Sequence, residues 1–391
     1  MKKKITIFTL AAALIFSAVI WQKGEHSANA AAASFPDIKG HWAEQSIKEA
    51  VAKGYVNGYP DGTFGPNNTL SRAEFVKMIV AALGIKVSDN AGGAWYKPYF
   101  DAATAEGIYV NGDFASNDFN KAMPRVEMSK VGVRALGEKN VQAKEWMYRA
   151  TKQGLIHGTA PGVLSPDGTT TRAQAITVIE RILSVKDGKK LPVDKYAVSA
   201  AELYWHKTNI FSVAPEMFDR PENYKQGVTN GGMNSWKESL LTLTTPDGKY
   251  KGEVEQLVVI DMADPKDPNR KLLPPIKELS WASFSTIQKL QEVSDDYIIL
   301  LKTKDIFNKD TKLYGKGLRI MFGGFVEDET GKTKNSPQQL VHGEESLNAY
   351  IVSKSKYSVD RSGSLRINIE APGKPGAPFT NETIVRSYFD K

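Results

Sequence analysis

Between Trp42 and Leu183 the apolar residues recur at three- and four-residue steps, in short blocks broken by glycine. Beyond about residue 239 they run instead in strand-length stretches. The first block sets the pattern. Trp42, Ala43, Ile47, Ala50 and Val51 share one face of a predicted helix, with Glu44, Lys48 and Glu49 on the wet side and Gly54 as the stop. A loop with a Pro60-Asp61-Gly62 turn follows. Ser71-Arg72-Ala73-Glu74 then has the spacing of a capping box, so a second helix starts at Arg72 and buries Phe75, Met78, Ile79, Ala82 and Leu83.

The same order returns twice. Arg72, Arg125 and Arg172 mark a register that advances by 53 and then 47 residues, and Gly54, Gly107 and Gly154 each lie 18 residues before their arginine. Phe75, Met128 and Ala175 keep this spacing, as do Leu83, Leu136 and Leu183. A period of this size signals helix-loop-helix repeats, and we divide them as 35–86, 87–137 and 138–185. One unit cannot bury both of its apolar faces, whereas three around a common axis can. Grooves would then lie between them, beside the loops and helix starts.

Each arginine falls at the first position of a helix, where the macrodipole disfavours a cation by about 0.3–1 kcal/mol. Two explanations fit: an anionic ligand held by backbone amides and the guanidinium fork, or an internal pair with a carboxylate of the fold. Threefold recurrence favours the ligand. The second unit departs from the pattern, because Pro124 stands where a capping hydroxyl belongs.

Charge and the N-terminus narrow the partner. The 391 residues carry a formal charge of +7, which suits acidic polymers. Lys2, Lys3 and Lys4 precede an apolar run from Ile5 to Ile20 and then Ala28-Asn29-Ala30, the layout of a secretory signal cut after Ala30. An uncleaved anchor is the other reading of this run. Export disfavours nucleic acid as a partner. The chain has no cysteine, so disulfides and a lipid-linked cysteine are excluded, and no second apolar segment of membrane length follows.

Phe35-Pro36-Asp37, His41-Trp42-Ala43, the loop from Asn57 to Phe64 and Ser71-Arg72-Ala73-Glu74 resemble an S-layer homology (SLH) repeat, and the later units resemble the second and third members of an SLH triplet. The resemblance covers about 150 residues. It implies a mainly helical, pseudo-threefold module that binds secondary cell wall polysaccharide through negatively charged pyruvate-ketal sugars. By position, the implied carbohydrate-binding residues are Asp37, Trp42, Gly58, Arg72, Trp95, Gly112, Arg125, Gly158 and Arg172. Gly112 sits one residue out of register; the counterparts of Asp37 are Asn90 and Gly137, and that of Trp42 in the third unit is Gln142. Trp42 and Trp95 read equally as core aromatics or as sugar-stacking surfaces.

Residues 186–198, opening with Lys186-Asp187-Gly188-Lys189-Lys190-Leu191-Pro192, read as a linker, and 199–391 as a β-rich domain, plausibly a sandwich. Strands are predicted over 239–244, 254–262, 297–303, 318–326, 350–353 and 365–370, and the stretch 278–292 has a helical alternative. No catalytic motif or metal-spaced histidine pair occurs, so no cofactor is expected. Asp261, Asp295, Asp296, Glu344 and Glu345 offer only scattered acids, with a Ca²⁺ site near Asp261 and Asp264 left open. The expected protein is a secreted, non-enzymatic wall-bound one. A wall hydrolase carried by the same anchor, or a surface-array subunit, are the alternatives.

Overall fold

A computed structural model describes residues 35–89, 92–218, 236–283, 286–326 and 334–389. The signal segment expected at 1–30, and Asn90, lie outside the described residues. The N-terminal part is mainly helical: α1 (Glu44–Ala52), α2 (Arg72–Ala82), α3 (Lys97–Ala105), α4 (Arg125–Ala135), α5 (Glu145–Lys152) and α6 (Arg172–Lys186). The first helix of each pair ends on the glycine that the repeat marks. Gly54, Gly107 and Gly154 take φ of 77°, 70° and 72°, a region that a side chain would strain. The second helices bury their stripes in one cluster, with Phe75, Ile79, Met128, Val131, Ala175, Ile176 and Ile179 fully enclosed.

The residues just before the second helices tie the three units together. Leu70 N donates to Thr170 O at 3.0 Å, Thr170 N to Met123 O at 2.8 Å, and Met123 N to Leu70 O at 2.8 Å, so the bonds close into a ring. Each unit is thereby bonded to both others. Around this ring Arg72 N donates to Lys121 O, Arg125 N to Gly168 O and Arg172 N to Asn68 O. Every marked arginine therefore starts its helix against the loop of a different unit.

The expected linker, 186–198, is helical only at its two ends. α6 runs to Lys186, and α7 (Lys195–His206) begins on Asp194, whose carboxylate accepts from Tyr196 N and Ala197 N. α7 packs on α5, with Tyr148 and Trp205 ring centroids 5.2 Å apart. Two short helices, α8 (Ile210–Val213) and α9 (Pro215–Phe218), lead into the β part.

That part is a large antiparallel sheet with a smaller one against it. Its strands are β1 (Thr242–Thr244), β2 (Tyr250–Asp261), β3 (Leu279–Ser283), β4 (Thr286–Lys289), β5 (Asp296–Asn308), β6 (Arg319–Gly323), β7 (Gln338–His342), β8 (Glu345–Ser353), β9 (Ser364–Glu370) and β10 (Asn381–Tyr388). They form one sheet of order β1-β2-β5-β8-β7-β3-β4 and another of order β10-β9-β6. Alternation on β2 puts Leu257 and Val259 with Ile367 and Ile369 of the small sheet, and Val258 and Ile260 in a second cluster on the opposite face. Central strands buried on both faces explain the unbroken apolar runs. The helical alternative for 278–292 is overturned: the segment is the β3–β4 hairpin. Leu279 and Trp281, two residues apart, both point into the second cluster, and pairing with β7 outweighs local helical preference.

Three of the acids singled out in this half, Asp261, Asp264 and Asp296, are ion-pair partners. Asp261 lies 2.5 Å from Lys354, Asp296 pairs with Lys334, and Asp264 lies 2.6 Å from Lys195 at the start of α7. Tyr196 Oη also donates to Asp264, at 2.7 Å. Burial pushes the Asp264 carboxyl up, but the bonds from Lys195 and Tyr196 outweigh it and bring it down to about 2. A depressed carboxyl stabilises the fold above its unfolded pKa and loses that contribution as pH falls through the folded one. Asp264→Asn should therefore lower the unfolding midpoint at pH 7, by up to about 2 kcal/mol of stability, and the deficit should vanish between about pH 4 and pH 2. Thermal unfolding of both proteins across that range checks it, and a deficit independent of pH would refute it.

Candidate functional site

All three arginines are buried, with 5%, 6% and 9% exposure for Arg72, Arg125 and Arg172. They are not alike. Arg172 donates through Nε to Phe64 O at 3.1 Å and through Nη2 to Asn57 O at 2.5 Å, both in the loop of the first repeat. The Phe64 and Tyr59 rings lie 4.7 and 5.1 Å from its guanidinium carbon. Arg125 donates through Nε to Leu164 O at 2.9 Å and through Nη2 to His157 O at 2.7 Å, in the loop of the third. Neither has a carboxylate partner among the described residues. Burial accordingly pulls both guanidinium groups below their usual pKa; for Arg172 the nearby Tyr59 and Glu74 offset part of this. A charge so placed costs several kcal/mol of solvation, which carbonyl dipoles repay only in part.

Arg72 is neutralised. Its Nε and Nη2 meet the two oxygens of Glu127 at 2.6 and 2.9 Å, and Nη1 donates to Asp118 O at 3.2 Å. The cause lies at Pro124. In α2 the carboxylate of Glu74 is tied back to Ser71, accepting from its N at 2.8 Å and its Oγ at 2.7 Å; in α6 Gln174 accepts from Thr171 N at 3.2 Å. Proline has neither an N–H nor a hydroxyl to offer, so α4 has no capping box. Glu127 turns instead to Arg72 and to Ala115 N, at 2.8 Å.

Two grooves open beside the other two arginines. One, of about 340 Å³, is lined by Trp42, Arg125, His157, Gly158, Gln174, Thr177 and Arg181. The other, of about 470 Å³, is lined by Asn57, Glu74, Lys77, Met78, Ala81, Trp95 and Arg172. Each joins a loop, the face of a second helix, an arginine and a tryptophan drawn from different repeats. Trp42 and Trp95 are 63% and 45% exposed, so neither is a core aromatic. Lys77 Nζ lies 5.7 Å from the Trp95 ring centroid. Arg72 lines neither groove, and the tryptophan position of the third unit holds Gln142.

The remaining expected residues build the loops. Both oxygens of Asp37 accept from Phe64 N, at 2.9 and 3.1 Å, and one accepts from Gly65 N at 2.7 Å. Burial raises this carboxyl, but the amides prevail and hold it below its ordinary value. A Cβ on Gly58 would lie 2.1 Å from the Phe35 ring, and one on Gly158 would lie 2.6 Å from Ala160 O, so both glycines are required by loop packing. Gly112 has φ of 93° with open space around it. The sequence reading missed Lys77, Thr177 and Arg181. Their signal was available: residues three and seven positions along from Glu74 and Gln174 share the groove face of the helix.

Glu127→Gln should cost about 3–5 kcal/mol, because it leaves the buried Arg72 without its counter-charge. The matching change in the third unit, Gln174→Glu, keeps the capping geometry and should cost less than about 1 kcal/mol. Urea unfolding compares them, and equal small costs would contradict the pairing described.

The S-layer homology domain family matches residues 34–76 and 140–176. The chain is 28% identical over 250 residues to an S-layer protein of Bacillus licheniformis, covering 62% of this chain and 26% of the relative. It is 32% identical over 176 residues to an amylopullulanase of Thermoanaerobacterium thermosulfurigenes, covering 38% of this chain and 9% of the relative. Over 47 residues it is 53% identical to a cellulosome-anchoring protein of Acetivibrio thermocellus, or 12% of this chain and 10% of the relative. The chain thus spans between 9% and 26% of the length of these relatives.

Proposed function

The chain is an S-layer homology domain protein, secreted and associated with the cell wall, and from that premise we propose that residues 35–185 hold the wall by binding anionic secondary cell wall polysaccharide. In this reading the three repeats form a pseudo-threefold anchor, a signal segment of residues 1–30 is removed on export, and residues 199–391 are the displayed cargo. The observation that carries the reading is the pair of buried guanidinium groups, Arg125 and Arg172, each without a carboxylate partner among the described residues and each lining a groove with an exposed tryptophan.

A pyruvate-ketal sugar matches this chemistry at both ends. Its carboxylate meets the remaining Nη1 edge of the guanidinium, for which no acceptor is present among the described residues, while the sugar ring lies on the indole. The arginine is already ordered by two carbonyls, so the ligand need not fix its rotamer. Each charged hydrogen bond contributes about 1.5–3 kcal/mol, and two linked grooves on a repeating polymer raise the residence time beyond that of either. Arg72, locked by Glu127, is assigned a structural part. Asp37, Gly58 and Gly158 shape the loops that present the carbonyls, and Gly112 serves the loop of the second unit.

The reading is tested by sedimentation with purified walls. Trp42→Ala combined with Trp95→Ala, both at exposed positions, should weaken pelleting by about tenfold or more while leaving the unfolding midpoint nearly unchanged. Arg125→Lys with Arg172→Lys should weaken it as well, since an ammonium loses the fork geometry. Undiminished pelleting of the tryptophan variant, or equal binding to walls stripped of their acidic polysaccharide, would overturn the proposal.

A further inference from the structure

The first and third repeats stand in register at an offset of 100 residues, which makes their grooves comparable position by position. Asn57 corresponds to His157, Glu74 to Gln174, Lys77 to Thr177 and Ala81 to Arg181, and all eight residues line one groove or the other. The Arg172 groove therefore holds two cations, Arg172 and Lys77, together with the charge of Glu74. The Arg125 groove holds two guanidinium groups, Arg125 and Arg181, and no carboxylate lines it. Its second cation is also displaced by one helical turn, about 6 Å along the axis.

Arg181 is built into the site. Its Nη1 donates to Leu155 O at 3.1 Å, and Nη2 lies 3.5 Å from His157 Nδ1. Burial pulls Arg181 below its usual pKa, and no carboxylate opposes that. Burial and the Arg181 charge also push His157 below its ordinary value, against the smaller opposing pull of Pro192 O and the Asp194 carboxylate. Two like charges thus face one cavity of about 340 Å³ with nothing of opposite sign among its lining residues. In a partly dry cavity such repulsion is relieved best by a ligand that brings more than one negative charge.

We infer that the two grooves are not interchangeable: the Arg125–Arg181 groove takes a saccharide unit bearing two anionic groups, and the Arg172 groove takes a singly charged unit. Arg181 is the residue that sets the difference, with Gln174 in place of Glu74 removing the competing acid. The polymer that satisfies both grooves carries acidic groups of unequal charge density along its length. This inference rests on the proposed saccharide binding, and its test separates the two.

The full chain labelled with fluorotryptophan gives a separate fluorine NMR signal for each groove, from Trp42 and Trp95, assigned by Trp→Phe variants. The probes are a pyruvate-ketal hexose and the same hexose carrying a phosphate on its anomeric oxygen. The phosphorylated probe should bind the Trp42 groove about tenfold or more tightly than the plain ketal, with little gain at Trp95. Arg181→Ala should abolish that gain. Gln174→Glu, which leaves the Leu155 bond in place, should reduce it without relying on the first variant to fold. Equal gains at both tryptophans, or a gain that survives both substitutions, would overturn the inference while leaving the saccharide site standing. No shift at either tryptophan with either probe would overturn the underlying reading as well.

Discussion

The N-terminal half depends on a closed ring of three backbone hydrogen bonds, Leu70 to Thr170, Thr170 to Met123 and Met123 to Leu70. Only a chain folded back on itself twice can close such a ring. Its closure sets each arginine against a loop that belongs to another repeat. The buried guanidinium groups follow from that placement: a side chain at a helix start, reaching across a repeat boundary, finds carbonyl oxygens before it finds water. Carbonyls orient a cation but do not cancel it. The ring therefore leaves Arg125 and Arg172 buried and held by carbonyls, with no carboxylate partner among the described residues, so an anion that met them would find them already ordered.

One proline shows how sensitive this arrangement is to local chemistry. Where Ser71 and Thr171 hold the third residue of the helix in a capping box, Pro124 cannot, and the freed carboxylate of Glu127 crosses to Arg72. The loss of a cap and the neutralisation of Arg72 are the same event. The pair is bidentate, buried and further bonded to Ala115 N, so removing either partner is costly even though forming it gains little over an apolar contact. The middle repeat in this way neutralises one arginine, and the two buried guanidinium groups without a carboxylate partner among the described residues are Arg125 and Arg172.

Much of this was legible in the sequence. The arginine register, the glycine stops and the two capping boxes are local signals, and each appears in the structure at the residues that carried it. The anomaly of a cation at a helix start was also readable. Its resolution was not, because the partner of Arg72 lies 55 residues away and those of Arg172 more than 100 residues away. The internal pair left open by the sequence operates at Arg72, whereas Arg125 and Arg172 have no carboxylate partner among the described residues. The exposure of Trp42 and Trp95 was equally out of reach, since helical spacing does not say which end of a stripe opens to a groove. In the β half, the helical alternative for 278–292 is removed by the pairing of Leu279 to Ala282 with β7.

The two open grooves also differ in how their loops are braced. In the first repeat the work is done within the unit, by the Asp37 carboxylate under Phe64 and Gly65. In the third it is done from outside. Asp194 accepts from Gly158 N while capping α7, His157 Nε2 lies 3.4 Å from Pro192 O, and Gly162 packs so closely on the Pro268 ring that a Cβ there would lie 2.7 Å away. The loop that presents carbonyls to Arg125 is thus clamped between the start of α7 and the β half. Tyr148 against Trp205, and Lys195 and Tyr196 on Asp264, complete the contact on that side. A loop braced on two sides has less conformational freedom left to lose on binding, so the proposed saccharide would meet a third-repeat groove that is already ordered.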